Sequence, residues 1–258
     1  MAGRSAAGAV RWLSPSVLVL RRPGPHLHDE RLDRSLPREI LRERPTVVFP
    51  SVHRSESGIR CLTVHPIGNL GPTAELGGRP RTVVPTDPAA MSGILGRLAE
   101  EGARLGLPAT YEATHHGPEL ELPACFVEIA VAEGGRPEPA EVAALDRAVR
   151  EGSSRDGDLR ALAVGGGHYA PRFTDLARGR RWAFGHIVPR HALPELDRAT
   201  ARAVLDGTPG AEGILYARAA DRGFPALEGL APELRDSAAP PRGAPAAPAT
   251  SGRSTSGT

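Results

Sequence analysis

The stretch DPAAMSGILGRLAEEGARLGLPATYEATHHGP, residues 87–118, holds a complete helix-to-strand unit and sets the reading of everything around it. Asp87 stands where a helix N-cap belongs, and Pro88 occupies the first turn, where a missing amide proton costs nothing. Met91, Ile94, Leu95, Leu98 and Leu105 then recur at helical spacing, so one apolar stripe must be buried against another layer. From Ala109 to Thr114 the pattern becomes that of a strand, and it ends on the pair His115 and His116.

The same alternation extends in both directions. Strands are expected at Val17–Leu20, Thr46–Phe49, Cys61–Val64, Thr82–Val84, Ala124–Ala130, Leu159–Val164, Arg181–Ile187 and Gly213–Ala217. Two more helices are expected, one from Pro139 with Val142, Leu145 and Val149, and one after Pro194 with Leu196, Ala199 and Val204. This order predicts a three-layer α/β/α domain with a mixed sheet over residues 17–236. Residues 1–16 stand apart as a divergent N-terminal segment without a strand or helix. Residues 237–258 contain Pro, Ala, Gly, Ser and Thr with no acid or aromatic; such a tail cannot bury enough apolar surface to offset its ordering entropy and is expected to be disordered.

Composition narrows the class. Hydrophobic residues make up 40% and aromatics only 4%, so the core must rest on Val, Leu, Ile and Ala. No apolar run approaches the roughly 20 residues that cross a bilayer, and no membrane partner is expected. The first 28 residues carry Arg4, Arg11, Arg21 and Arg22 and no acid, but Val17–Leu20 reads as a core strand rather than part of a transit peptide. Cys61 and Cys125 lack CxxC spacing and lie in strand-like runs, which predicts buried, reduced thiols in a cytoplasmic protein. All 32 basic residues are arginine, yet the net charge of +2 is too small to imply nucleic-acid binding from charge alone, and no DNA partner is expected. Locally, Arg178, Arg180 and Arg181 crowd the approach to WAFGH, and Arg172 follows GGGHYAP; they are candidate phosphate contacts, with solvated surface as the plainer reading.

Six of the nine histidines close strand-like runs: His53, His65, His115, His116, His168 and His186. In an open α/β sheet, reactive groups gather where strands finish, which predicts that these imidazoles share one crevice as candidate metal ligands or proton carriers. Adjacent strand residues face opposite sides, so His115 and His116 can both face it only if the chain turns, and Gly117 and Pro118 supply a turn. Gly165, Gly166 and Gly167 follow an apolar strand; their amides can approach an anion, a carbonyl or a ribose, and they leave His168 and Tyr169 at the lip. Glu128, a carboxylate among apolar neighbours, could hold an imidazole, accept a proton or ligate a metal. There is no G-x-S-x-G nucleophile elbow.

The segments SVHRSESG (51–58), LTVHPIGNLG (62–71), YEATHHGP (111–118), FVEI (126–129), GGGHYAPRFTD (165–175) and FGHIVPRHA (184–192) together resemble the archaeal and plant type of D-aminoacyl-tRNA deacylase. The resemblance covers roughly Val17 to Leu234. It implies a phosphorylase/hydrolase-like three-layer fold, an association with zinc, the acceptor end of aminoacyl-tRNA as partner, and hydrolysis of the ester joining a D-amino acid to tRNA. The chain departs from the family pattern where Glu119 directly follows Pro118, at Ile67 and at Ala130.

Under that reading His115, His116 or His168 orients or deprotonates water, with Glu128 fixing an imidazole. Gly117, Pro118, the glycine turn, Tyr169 and the four arginines hold the substrate. Two other readings use the same residues: a zinc-dependent amidohydrolase or peptidase acting on a small substrate, and a catalytically degenerate tRNA-binding relative.

Overall fold

The computed structural model describes residues 9–14, 17–21, 26–55, 58–152, 158–179 and 181–236. In chain order the elements are β1 (Ala9–Ser14), β2 (Val17–Arg21), α1 (Arg38–Arg42), β3 (Val47–Ser55), β4 (Cys61–Pro66), β5 (Gly68–Asn69), β6 (Thr82–Val83), α2 (Pro88–Leu105), β7 (Ala109–Tyr111), β8 (Ala124–Ala132), α3 (Pro139–Glu151), β9 (Leu159–Val164), α4 (Pro171–Arg178), β10 (Trp182–Val188), α5 (Arg198–Asp206), β11 (Ile214–Tyr216) and β12 (Glu233–Leu234).

Two four-stranded sheets form the middle layer. One runs β3-β8-β4-β7, with β4 antiparallel to β8 and the other pairs parallel; the second runs β10-β9-β11-β12 and is all parallel. Backbone bonds stitch them edge to edge just beyond β7, where Ala113 N–H donates to the His168 carbonyl (2.8 Å) and Thr114 N–H to that of Ile187 (2.8 Å). The mixed-sheet, three-layer expectation therefore describes the molecule.

One face of the sheets is covered by α2, α3 and α4. Met91, Ile94, Leu95 and Leu98 of α2 meet Leu62 and Val64 of β4 and the odd-numbered residues Cys125, Val127, Ile129 and Val131 of β8. The Asp87 carboxylate caps α2 by accepting from Ala90 N–H (3.0 Å), and Gly106 ends it at φ 70°. On the opposite side α5 and the C-terminal turns cover Leu162, Val164 and Ile214. A third apolar cluster, with Phe49, Ile67, Val84 and Phe126, lies under the other face of the first sheet.

Several expectations need correction. β1 exists and pairs with β2 as a two-stranded hairpin, so Val17–Leu20 is a strand outside the central sheets; Val19 is exposed, while Leu20 packs against the Phe49 cluster. Val142 of α3 faces solvent, and the buried face of that helix is Glu141, Ala144, Leu145 and Ala148, with Glu141 held by Arg60 (2.5 Å). Helix α4 was not expected, although Pro171 opens it in the favoured position. Both cysteines are buried and free, as the sequence suggested. No helix among the described residues is long and apolar enough to cross a membrane. Residues 237–258 and Arg180 lie outside the described residues.

Candidate active site

Three strands of the first sheet place the deepest groups. Ser51 of β3 and Thr63 of β4 both sit opposite Glu128 of β8, while His53 is opposite Ala130 and His65 opposite Phe126. Because side chains alternate along a strand, this register puts His53, His65, Phe126 and Glu128 on one face, away from α2. Glu128 Oε2 is 3.5 Å from His65 Nε2 and 3.8 Å from His53 Nδ1. Phe126 stacks on the His65 ring with centroids 5.2 Å apart and planes 3° apart, forming an apolar floor.

The end of β7 brings the next three groups. Glu112 is fully buried beyond the strand, with its amide donating to the Val64 carbonyl (3.1 Å). His116 adopts φ 42°, so the chain turns at that residue itself, one position before the expected Gly117, and both imidazoles face inward. The Gly117–Pro118 peptide is cis, and the Gly117 amide donates to the Leu76 carbonyl (3.0 Å). A side chain at Gly117 would run into the backbone of Gly77 and Gly78, which explains the glycine.

The second sheet supplies His168. Gly165 and Gly166 at the end of β9 have φ of 105° and 84°, conformations that L side chains adopt only with strain, and the turn they make delivers the His168 ring across the seam. His168 stacks against His53 (5.4 Å) and contacts His115 edge to face (4.8 Å); His115 in turn touches His65 (4.0 Å) and His116 (4.3 Å). Tyr169 lies beside His168 (5.2 Å between rings).

The hydrogen bonding fixes which imidazole nitrogens are available. Nδ1 of His65, His115 and His116 lies 3.1, 2.8 and 2.7 Å from the carbonyls of Pro66, Ala113 and Gly117. A carbonyl only accepts, so each Nδ1 carries a proton and each neutral ring offers its Nε2 lone pair. Nε2 of His65, His115 and His168, both oxygens of Glu112 and Oε2 of Glu128 are buried without an aligned hydrogen-bond partner. Three sets have donor atoms within 4.8 Å of one another: His65, His115 and His116; His53, Glu112 and His168; and His65, Glu112 and Glu128.

Burial and mutual charge set the protonation. Burial pushes His115 well below its usual range, with His65 and His116 adding to the effect, and pushes His116 down to about 4. For Glu112 burial alone would raise the carboxyl, but contact with His168, at 3.2 Å, and the charges of His65 and His53 hold it at about 2. The same contest lowers Glu128 through His65; for His65, burial is outweighed by Glu128 and the proton is retained more firmly.

Of the residues expected from sequence, the structure thus gathers His53, His65, His115, His116, His168 and Glu128. It does not gather His186. That ring is fully buried on β10, with Nδ1 3.1 Å from Thr114 Oγ1, and burial lowers it to about 3; it braces the seam between the sheets. Arg172 lies exposed in the first turn of α4, near the glycine turn, whereas Arg178 ends that helix and Arg181 precedes β10, at the opposite edge of the sheet from His168. Glu112 was missed. It sits in YEATHH among apolar and small neighbours, the same signal that singled out Glu128.

The model of the D-aminoacyl-tRNA deacylase family matches residues 42–224. Among curated proteins, the D-aminoacyl-tRNA deacylase of Thermoplasma acidophilum is 37% identical over 177 residues, covering 69% of each chain, and that of Thermoplasma volcanium is 36% identical, covering 68% of each. That of Methanoregula boonei is 43% identical over 62% of this chain and 36% of its own longer length. Among solved structures, the conserved protein of unknown function AF0625 superposes with a TM-score of 0.72 at 25% identity, covering 89% of this chain and 80% of its own. With the matched region spanning every residue of the imidazole and carboxylate cluster, the chain belongs to the D-aminoacyl-tRNA deacylase family.

Proposed function

We propose that this protein hydrolyses the ester bond of D-aminoacyl-tRNA, releasing a free D-amino acid and tRNA. One observation carries the reading beyond family membership: buried Nε2 and carboxylate atoms without an aligned partner, from β4, β8, the segment just beyond β7 and the turn after β9, lie together in overlapping sets. Burying polar atoms without partners is costly, so a site that does so repeatedly is built for a ligand.

That donor set fits zinc, which takes imidazole nitrogen and carboxylate oxygen. His65, His115 and His116 would form one ligand group, and His53, Glu112 and His168 a second, with Glu128 beside His65. Bound zinc lowers the pKa of a coordinated water toward about 7 and polarises a carbonyl. An aminoacyl ester is already activated, so no covalent nucleophile is needed. Glu128, held charged beside His65, is placed to take a proton from water at Oε2, and His168 orients the attack from the lip. The Gly166 and Gly167 amides find no acceptor among the described residues and would receive the ester carbonyl oxygen or the terminal ribose. Gly117 and Pro118, next to His116, and Tyr169, against the His168 ring, would contact the substrate, and Arg172 is the sequence-predicted arginine best placed for the acceptor end. An aminoacyl-tRNA substrate and two free, buried thiols suit the cytoplasm.

The test is deacylation of matched D- and L-aminoacyl-tRNA, with and without a chelator. Hydrolysis of the D-form alone, lost on chelation and restored by zinc, supports the reading. Equal rates on both forms would reject stereochemical proofreading, and activity that survives thorough chelation would remove the metal from the reaction.

A further inference from the structure

Arg190 lies in the FGHIVPRHA segment, just past the end of β10, and nothing in the hydrolytic site uses it. Three strand ends meet there. The Arg190 amide donates to the Gly166 carbonyl (3.0 Å), in the turn after β9, and its guanidinium Nη2 pairs with Asp221 Oδ1 (2.5 Å), in the turn after β11. Asp221 is buried, at 2% side-chain exposure, while the Arg190 side chain is 43% exposed. The other oxygen, Oδ2, points inward against Gly165, where any side chain would collide with it. Solvent therefore meets the cation and not the carboxylate.

A guanidinium has five N–H donors in a rigid fork, and one edge satisfies Asp221. The remaining donors of Arg190 have no partner among the described residues, and neither do the adjacent Gly166 and Gly167 amides. A fork pinned by a buried carboxylate and open to solvent, at the carboxyl edge of a parallel sheet and next to the turn whose amides face the ester, is a site for a tetrahedral oxyanion.

Resting on the deacylase reading, we infer that Arg190, positioned by Asp221, binds the phosphate of the terminal nucleotide of the tRNA acceptor end. That phosphate is one ribose away from the scissile ester. Gly166, which anchors Arg190, is two residues from His168, a span of at most about 7 Å along the chain. One edge of the glycine turn thus faces the reacting ester and the other faces the phosphate, so the turn measures the length of a nucleotide.

The test uses adenosine 5′-monophosphate and adenosine as probes of the intact protein by calorimetry, needing no turnover. The monophosphate should bind at least tenfold more tightly than adenosine, and Arg190→Met should erase the difference. D-Alanine distinguishes the carboxylate product as an alternative ligand: its affinity should not respond to Arg190→Met. In kinetics, the ratio of kcat/KM for D-aminoacyl-tRNA to that for D-aminoacyl-adenosine should fall about tenfold in Arg190→Met. Equal binding of the two nucleotide probes by the wild type, or no measurable binding of the monophosphate at millimolar concentration, would overturn the inference without any variant; so would a Met variant that keeps the preference, or one that loses D-alanine instead. If the wild type hydrolyses neither substrate, the deacylase reading fails by itself, while the probe comparison still decides whether the phosphate site exists.

Discussion

Replacing Glu112 with glutamine keeps the shape of the side chain and removes its charge, and the structure sets the size of the effect in metal-free protein. The carboxyl lies at about 2 in the folded chain against an ordinary 4.5, with no solvent exposure to screen it. At about 1.4 kcal/mol per unit, the charged form contributes about 3 kcal/mol to folding at pH 7. The sign follows from the depressed pKa: the contribution is complete above about pH 5 and is lost as pH falls through about 2. Urea unfolding of chelated wild type and Glu112→Gln should therefore differ by about 3 kcal/mol at pH 7, by about 2 at pH 3.5 and by under 1 at pH 2. A gap that stays constant with pH would mean that lost packing, not charge, is responsible. No gap at pH 7 would show that the imidazoles around Glu112 do not depend on its charge, and the account of the cluster would fail.

Other outcomes follow from the same geometry. His116, lowered to about 4 from an ordinary 6.5, carries no protonation cost in chelated protein above about pH 6.5 and destabilises the fold increasingly as pH falls from there to about 4; His116→Asn should flatten that part of the stability profile. Gly166→Ala meets open space at φ 84° and should fold with a loss of about 1–2 kcal/mol and reduced turnover, whereas Gly165→Ala would also drive a methyl into Asp221 and should lower Tm further; the reverse order in calorimetry would refute the packing described. His65→Ala should reduce bound zinc measured by atomic absorption and cut kcat at least a hundredfold, while full zinc content in the variant would remove His65 from the ligand set. Arg172→Gln should reduce the slope of log affinity for tRNA against log salt by roughly one, and the distant Arg178→Gln and Arg181→Gln should not.

Local signals were the legible ones. The cap at Asp87, the apolar stripe of α2 and the uninterrupted run Leu159–Val164 each state their own structure, and the last has the bounds expected. The gathering of five histidines was also readable, because strand ends in an α/β sheet converge. What could not be read depends on register. His186 follows an apolar run just as His65 does, but it lies inside β10 and its alternation points it to Thr114 and not to the cluster. Glu112 lies beyond the last paired residue of β7, where burial is decided by the neighbouring sheet. Among the described residues the β1–β2 hairpin pairs only with itself, a partner choice that its apolar run does not distinguish from that of a central strand.

The seam beyond β7 bears on how the protein comes apart. The Ala113 and Thr114 amide bonds, together with the Ala170 amide on the Tyr111 carbonyl, join two sheets whose strands are otherwise laid side by side within their own sheet, and the candidate ligands divide along the same line, with His168 on one side and the rest on the other. An ion held by both halves would act as a rivet through that joint. Stripping it should leave each sheet's own amides slow to exchange with solvent while those of Ala113 and Thr114 begin to exchange quickly, so loss of the ion would register as a mechanical loosening before any helix unfolds.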